Sequence, residues 1–299
     1  MTSMIHLACL IAVLSGSSAA PSTKSLPRLA SFTRMIEGKD TSRTRTVQIA
    51  RAVFRHRGLG RTVVLEGVGH IAEKAFYQHM EARLAKYDKV LYELVGSPMT
   101  GKPLNPEDET EEFSLQRKMA RSMGLSFQLE GIDYRKSNFV WADLSGEEFL
   151  KLAGLENGSD LAFFGALVAS ALQQSFSMNS QQDAKIEKLV NELVSDLWSM
   201  ITTSTLSSKK LMWVMARLLA ETDLSLDGIV SPRLQNALCT AREARAFEVL
   251  ARTFEGLPHA TASILYGAGH MPAMQDRLTK QGYVLESVTW ETAWSGAGK

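Results

Sequence analysis

The chain has 299 residues, with 33 lysines and arginines against 32 aspartates and glutamates, and 45% hydrophobic residues. That length suits one large globular domain or two small ones, and the ordinary apolar and charged fractions exclude a disordered, collagenous or coiled-coil chain. A formal net charge of +1 excludes a broad electrostatic footprint for DNA, RNA or anionic lipid, and two cysteines, Cys9 and Cys239, are too few for a disulfide scaffold or a cysteine zinc site.

The amino terminus reads as a targeting segment. Leu7 to Leu14 is almost wholly apolar and is followed by the small residues Gly16-Ser17-Ser18-Ala19-Ala20, although no Lys or Arg precedes the run. Residues 1–20 are therefore expected to be a signal peptide, which makes the mature chain secreted or periplasmic; a disordered cytoplasmic start is the alternative. The run is shorter than the roughly 20 apolar residues that span a bilayer, so no integral membrane span is expected in the mature chain. Residues 21–43 are rich in Ser, Thr, Lys and Arg, with Pro21 and Pro27, and read as a flexible lead-in to a single domain over 44–299.

Val47 to Phe54 and Thr62 to Glu66 are rich in Val and Ile and are separated by His56-Arg57-Gly58-Leu59-Gly60, which predicts a hairpin or adjacent strands. From Ile71 to Tyr87 the period changes, and Phe76, Met80, Leu84 and Tyr87 fall on one stripe of an amphipathic helix. Val90-Leu91-Tyr92 reads as a buried strand, Ser97 to Asp108 as a loop and Glu109 to Met123 as a helix stopped by Gly124. Phe127-Gln128-Leu129 is read as another short strand. Ser145-Gly146-Glu147-Glu148 is a capping box opening a helix. Three helical stretches then run to about residue 221, the first from Leu161 to Phe176, and a further helix covers Pro232 to Phe254. The middle of the chain, about 145–255, is thus a helical insertion between two β-containing ends.

Two segments repeat one pattern. Val63 to Glu93 and Ser263 to Glu291 each read as strand, Gly-x-Gly-His, amphipathic helix, strand and glutamate. In the second, Pro272 falls in the first helical turn and Gly282 just past the end, both preferred places. Glycines at the end of a strand allow a sharp turn and close approach to a ligand, which makes Gly67, Gly69, Gly267 and Gly269 candidate substrate-contact positions. The histidines that follow, His70 and His270, lie at helix amino termini beyond the carboxyl ends of strands, where open α/β sheets bind ligands. If both units join one sheet, both histidines can face one crevice, with Glu93 at the end of the next strand. Two imidazoles and a carboxylate are a common set for a catalytic divalent metal and equally a general acid–base set without one. Neither copy continues to the third glycine of a dinucleotide-binding fingerprint. The expected fold is α/β, with a central sheet built from the two related units.

Gly67-Val68-Gly69-His70, Leu91-Tyr92-Glu93 and Ile264-Leu265-Tyr266-Gly267-Ala268-Gly269-His270 resemble the TraB/PrgY/GumN family, which carries two Gly-x-x-His motifs and a glutamate. The resemblance runs from about Val47 to Trp294, touches Asp133-Tyr134 and Ala142-Asp143-Leu144, and is weakest in the helical middle. The family includes the Tiki proteases and is related in fold to erythromycin esterases and haem-binding ChaN proteins. The resemblance implies hydrolysis of a peptide or a small-molecule ester. His70, His270 and Glu93 would activate water, directly or as ligands of a divalent metal such as Mn, Co or Zn. The family's Glu-Arg-Asn element before the second histidine is matched only by the arginine of Ala244-Arg245-Ala246, and Arg245 would stabilise the oxyanion. The alternatives are a binding protein that holds haem or a peptide in the same crevice without turnover, or an interaction protein with a decayed site.

Among the other residues, Glu73 is a first-turn glutamate of the kind that complements a helix dipole. Glu291 is expected to face outward, Trp290, Trp294, Met271 and Met274 to pack, and Cys239 to be a small buried residue. His56, His79 and His259 have no spacing that singles them out.

Overall fold

The computed structural model describes residues 26–38, 44–99, 117, 120–121, 123–154 and 231–297. Its Val- and Ile-rich segments assemble into a 7-stranded mixed sheet. Strands β2 (Thr44–His56) and β3 (Thr62–Val68) form the expected antiparallel hairpin, with Arg51 opposite Glu66. β8 (Thr261–Gly267) lies parallel to β3, β5 (Lys89–Tyr92) parallel to β8, and β7 (Phe139–Trp141) parallel to β5. On the other side, β9 (Tyr283–Ala297) runs antiparallel along the whole of β2. β9 is therefore parallel to β3 and β8, and the two repeated units share one sheet.

The connections make the crevice. β3 leads through α1 (Lys74–Leu84) to β5, passing over β8; β8 leads through α6 (Met271–Lys280) to β9, passing over β3 and β2. Two neighbouring parallel strands whose crossovers depart in opposite directions define a topological switch point, and the cleft opens at their carboxyl ends. Right-handed crossovers departing in opposite directions put their helices on opposite faces of the sheet. The stripe Phe76, Met80 and Leu84 buries α1, and Met271, Met274 and Leu278 bury α6, against strand residues such as Leu65, Leu91 and Ile264. Each such side chain contributes about 1.5–3 kcal/mol of burial, more than enough to fix helices of these lengths in place. Among the described residues no helix is long and apolar enough to cross a membrane.

Several local expectations are corrected. Residues read as flexible lead-in include β1 (Thr33–Glu37), which pairs with β2 from Thr33 opposite Ile49 to Glu37 opposite Arg45. β2 is longer than β3, so half of its edge is left for β1 to fill. Ahead of it, the Leu26 amide donates to the Leu285 carbonyl at 3.0 Å, and Gln275 bonds both the amide and the carbonyl of Leu29. The helix read from Ile71 starts only at Lys74, because β4 (Ile71–Ala72) pairs with β6 (Ser126–Phe127). The strand expected through Leu129 ends at Phe127, since the Gln128 amide is drawn to the His70 carbonyl at 2.8 Å and the chain turns into α2 (Gln128–Gly131). The capping box opens α3 (Gly146–Ala153): Ser145 Oγ accepts from the Glu148 amide at 3.2 Å, and Glu148 Oε2 from the Ser145 amide at 2.9 Å. The helix read over Pro232–Phe254 consists of α4 (Pro232–Gln235), a π-helical turn at Asn236–Thr240 and α5 (Ala241–Gly256). The expected signal peptide, most of the 97–108 loop and of the Glu109–Met123 helix, and the three helical stretches to about residue 221 lie outside the described residues.

Candidate active site

β3 and β8 are in register with Val68 opposite Gly267, so the two Gly-x-Gly-His turns stand side by side. Glu93 follows β5 and Asp143 follows β7. The four neighbouring parallel strands thus each deliver one polar residue to the same end of the sheet. The glycines serve this arrangement by closeness rather than by handedness, since none of the four has a positive φ. A Cβ at Gly67 would lie 2.9 Å from Ile49 Cγ2 and 3.0 Å from the Ala50 carbonyl, and one at Gly69 3.3 Å from the Ile71 carbonyl. Those positions make room for β2 and β4. At Gly267 a Cβ would lie 3.3 Å from Glu93 Oε2, so this glycine admits the glutamate. Gly269 sits within the 3₁₀ turn Ala268–His270.

Behind the turns lies a buried charge cluster. Glu93 Oε1 accepts from Arg242 Nη2 at 2.5 Å and its Oε2 from the Gly267 amide at 2.5 Å. Arg242 also forks onto Asp143, Nε to Oδ1 at 2.9 Å and Nη2 to Oδ2 at 2.7 Å, a bidentate pair of the strong kind. His270 Nδ1 is 3.2 Å from Glu243 Oε1, and its Nε2 is 3.6 Å from Glu93 Oε1. The Tyr266 hydroxyl donates to the Ala142 carbonyl, and its ring stands edge-on to His270. Burial opposes ionisation of Glu93, but Arg242, reinforced by His270 and His70, holds its carboxyl well below the usual carboxylate range. Burial likewise disfavours the charged form of His270, yet hydrogen bonding to Glu243 and Glu93 prevails and raises the imidazole to about 9. His270 is therefore an imidazolium between two carboxylates at neutral pH.

His70 is different. It is exposed at the mouth of the crevice, within electrostatic reach of Glu93, and its Nδ1 lies 3.0 Å from Gln128 Oε1. Gln128 Nε2 donates to the Tyr134 hydroxyl at 2.8 Å, and its oxygen is the atom toward His70. In the neutral imidazole the proton is then on Nδ1, and Nε2 carries the free lone pair.

Arg245 lies at the edge of the cluster, where its Nη1 donates to the Asp143 backbone carbonyl at 3.4 Å. Its Nη2 bonds Glu148 Oε1 at 2.8 Å and its Nε is 3.4 Å from Glu248, on the half-exposed rim of α5. At 3.6 residues per turn, three positions rotate a side chain by about 60°, enough to move it off the buried face. The arginine in the cluster is Arg242. It falls on the four-residue stripe Ala246, Leu250 and Phe254, and a charge on an apolar stripe was the readable signal for it. Glu243, Asp143 and Gln128 complete the site without a motif of their own, and Gln128, expected in a strand, opens α2 instead.

The Cys239 Sγ, a Glu243 carboxylate oxygen and a His270 ring nitrogen lie within 4.8 Å of one another, a group that could hold a metal ion. The set expected from sequence, His70, Glu93 and His270, is a poor one. Its ligand atoms are not gathered within that reach, and Arg242 puts positive charge against Glu93 where a cation would sit. Compared with models of protein families and with curated protein sequences, the chain matches none.

Proposed function

We propose that the chain is a hydrolase of the TraB/GumN type, acting on a peptide or a small-molecule ester in the crevice at the carboxyl ends of β3 and β8. The observation that supports this reading is the pair of Gly-x-Gly-His turns abreast at a topological switch point, with Glu93 beside them. His70 takes the proton of the attacking water on Nε2 while Gln128 holds Nδ1–H. A positioned general base of this kind contributes about 10²–10⁴-fold. His270 places a positive charge at the crevice, where negative charge develops on the substrate oxygen. Glu93 anchors that imidazole, and Arg242 with Asp143 fixes Glu93; these three are positioning groups. The His70, Glu93 and His270 set does not fit a shared metal ion, and no step here passes through one. The apolar Leu7–Leu14 run supports export from the cytoplasm, which amino-terminal sequencing of protein from its native host tests.

The test is a peptidase and esterase screen on the purified chain, followed by His70→Ala and His270→Ala on the substrate found. Loss of turnover is expected in both with circular dichroism retained; melting should be retained in His70→Ala and lowered in His270→Ala, which loses the pairing with Glu243 and Glu93. Near-parental turnover in both variants would overturn the reading. A parent without turnover that binds haem or peptide, and loses affinity in the same variants, would establish the binding alternative instead.

A further inference from the structure

We infer that Cys239, Glu243 and His270 form a site for one thiophilic divalent ion of the zinc class. The inference rests on the same His270 as the hydrolase reading: ion binding displaces the imidazolium proton, and the ion then carries the positive charge that the imidazolium carries without it; its test does not depend on turnover.

Three separate elements bring the donors together. Cys239 comes from the π-helical turn Asn236–Thr240, Glu243 from the first turn of α5, and His270 from the 3₁₀ turn after β8. Residues four apart share a helix face, and single π turns inserted between α-helical segments recur at functional sites. The three ligand atoms lie within 4.8 Å of one another. A tetrahedral ion with bonds of about 2.0–2.3 Å sets its donors roughly 3.3–3.8 Å apart, so the trio needs to close by about 1 Å, within the reach of side-chain rotation. Thiolate with imidazole selects zinc or cobalt and disfavours magnesium, calcium and manganese. This narrows the metals implied by the family resemblance.

The surroundings suit a ligand histidine. Glu93 faces the far nitrogen of His270 at 3.6 Å and is itself fixed by Arg242 and the Gly267 amide. A carboxylate behind a ligating imidazole orients the ring and raises its basicity. Arg277 Nε lies 3.8 Å from the second Glu243 oxygen and restrains that carboxylate. Three protein ligands would leave a fourth position for water, the ligand count of catalytic zinc sites. Two cysteines could not make a site of cysteines alone; one cysteine with a histidine and a glutamate suffices.

The experiment titrates the chelator-treated full chain with Co²⁺ and then displaces it with Zn²⁺. One cobalt per chain with a thiolate-to-cobalt charge-transfer band is expected, and zinc should abolish the band. Cys239→Ser should remove the band and Glu243→Gln should weaken binding. Glu93→Gln, acting through His270, should lower zinc affinity about 10–100-fold. Absence of stoichiometric binding in the parent overturns the site, as does undiminished zinc affinity in Cys239→Ser or in Glu243→Gln. If one variant fails to fold, the other still decides. Binding through Cys239 in a parent that turns over neither peptide nor ester upholds the site and defeats the hydrolase; turnover without ion binding does the reverse.

Discussion

Arg242→Ala would take from two buried carboxylates the guanidinium they share. The guanidinium bonds Glu93 once and Asp143 twice, at 2.5–2.9 Å, and the Asp143 side chain is 0% exposed. Removing one partner of a buried ion pair costs about 3–5 kcal/mol, chiefly because the remaining charge is stranded. Asp143 loses its bidentate partner while Glu93 keeps His270 and the Gly267 amide, so a loss within that range is expected at neutral pH. That is a large share of the 5–15 kcal/mol that typically separates folded from unfolded states. Arg245→Ala gives the contrast within the same helix. Its partners Glu148 and Glu248 are exposed at the rim, and such pairs contribute about 0–1 kcal/mol. Urea unfolding of both variants at fixed pH, with the slope checked against the parent, measures the two costs. Adding Glu93→Gln and Asp143→Asn to Arg242→Ala should recover a substantial part of the loss, because the stranded charges are gone. The reasoning fails if Arg242→Ala lies within about 1 kcal/mol of the parent, or if Arg245→Ala is the more damaging change.

Three further outcomes are expected. In chelator-treated protein the raised His270 contributes stability that is complete below its ordinary value of 6.5 and is lost as pH rises through about 9. At about 1.36 kcal/mol per pH unit the difference between these values gives about 3 kcal/mol, so urea midpoints should fall between pH 6.5 and 9 in the parent and stay flat over that window in His270→Gln; a flat parent refutes the pairing. Gly67→Ala drives a Cβ against the Ala50 carbonyl, part of a paired strand that has no room to move, and should cost about 1–3 kcal/mol in thermal or urea unfolding; a neutral change would mean that β2 yields. Gln128→Leu releases Nδ1 of His70 and should lower turnover about 10²-fold through misorientation of the base, with a shifted pH–rate profile; unchanged kcat would remove Gln128 from the mechanism.

The strands and the repeat were legible because their signals are local. Val and Ile runs mark strands, and Pro272 and Gly282 mark the ends of a helix. Where tertiary partners decide, local reading failed. β1 is polar and short, and exists because β2 outruns β3. Gln128 leaves its strand because a carbonyl and an imidazole from another segment claim it. His70, Glu93 and His270 were readable because the duplication pointed at them. Arg242 and Glu243 come from the helix outside the repeat, and a linear match to Arg245 carries no sign that Arg242, three positions earlier, is the arginine that reaches Glu93. A charged residue at a stripe position, four before Ala246, was the only local sign that α5 lines a polar site.

The same motif gives two unlike histidines, and the chain that follows each explains why. After His70 the backbone extends into β4 before α1 begins, so the imidazole stays at the surface and meets Gln128 from the neighbouring strand turn. After His270 the chain enters α6 at once, with Pro272 in its first turn, and the imidazole is drawn inward. There α5 closes over it, bringing Glu243 to one nitrogen while Glu93 faces the other. A duplicated unit in a single sheet cannot keep both copies equivalent, because its crossovers depart in opposite directions and meet different neighbours. The result is one imidazole with a free lone pair at the mouth and one cationic imidazole behind it. The proposed hydrolysis gives them complementary parts: a proton acceptor open to water, and a fixed positive charge that does not need solvent to maintain it.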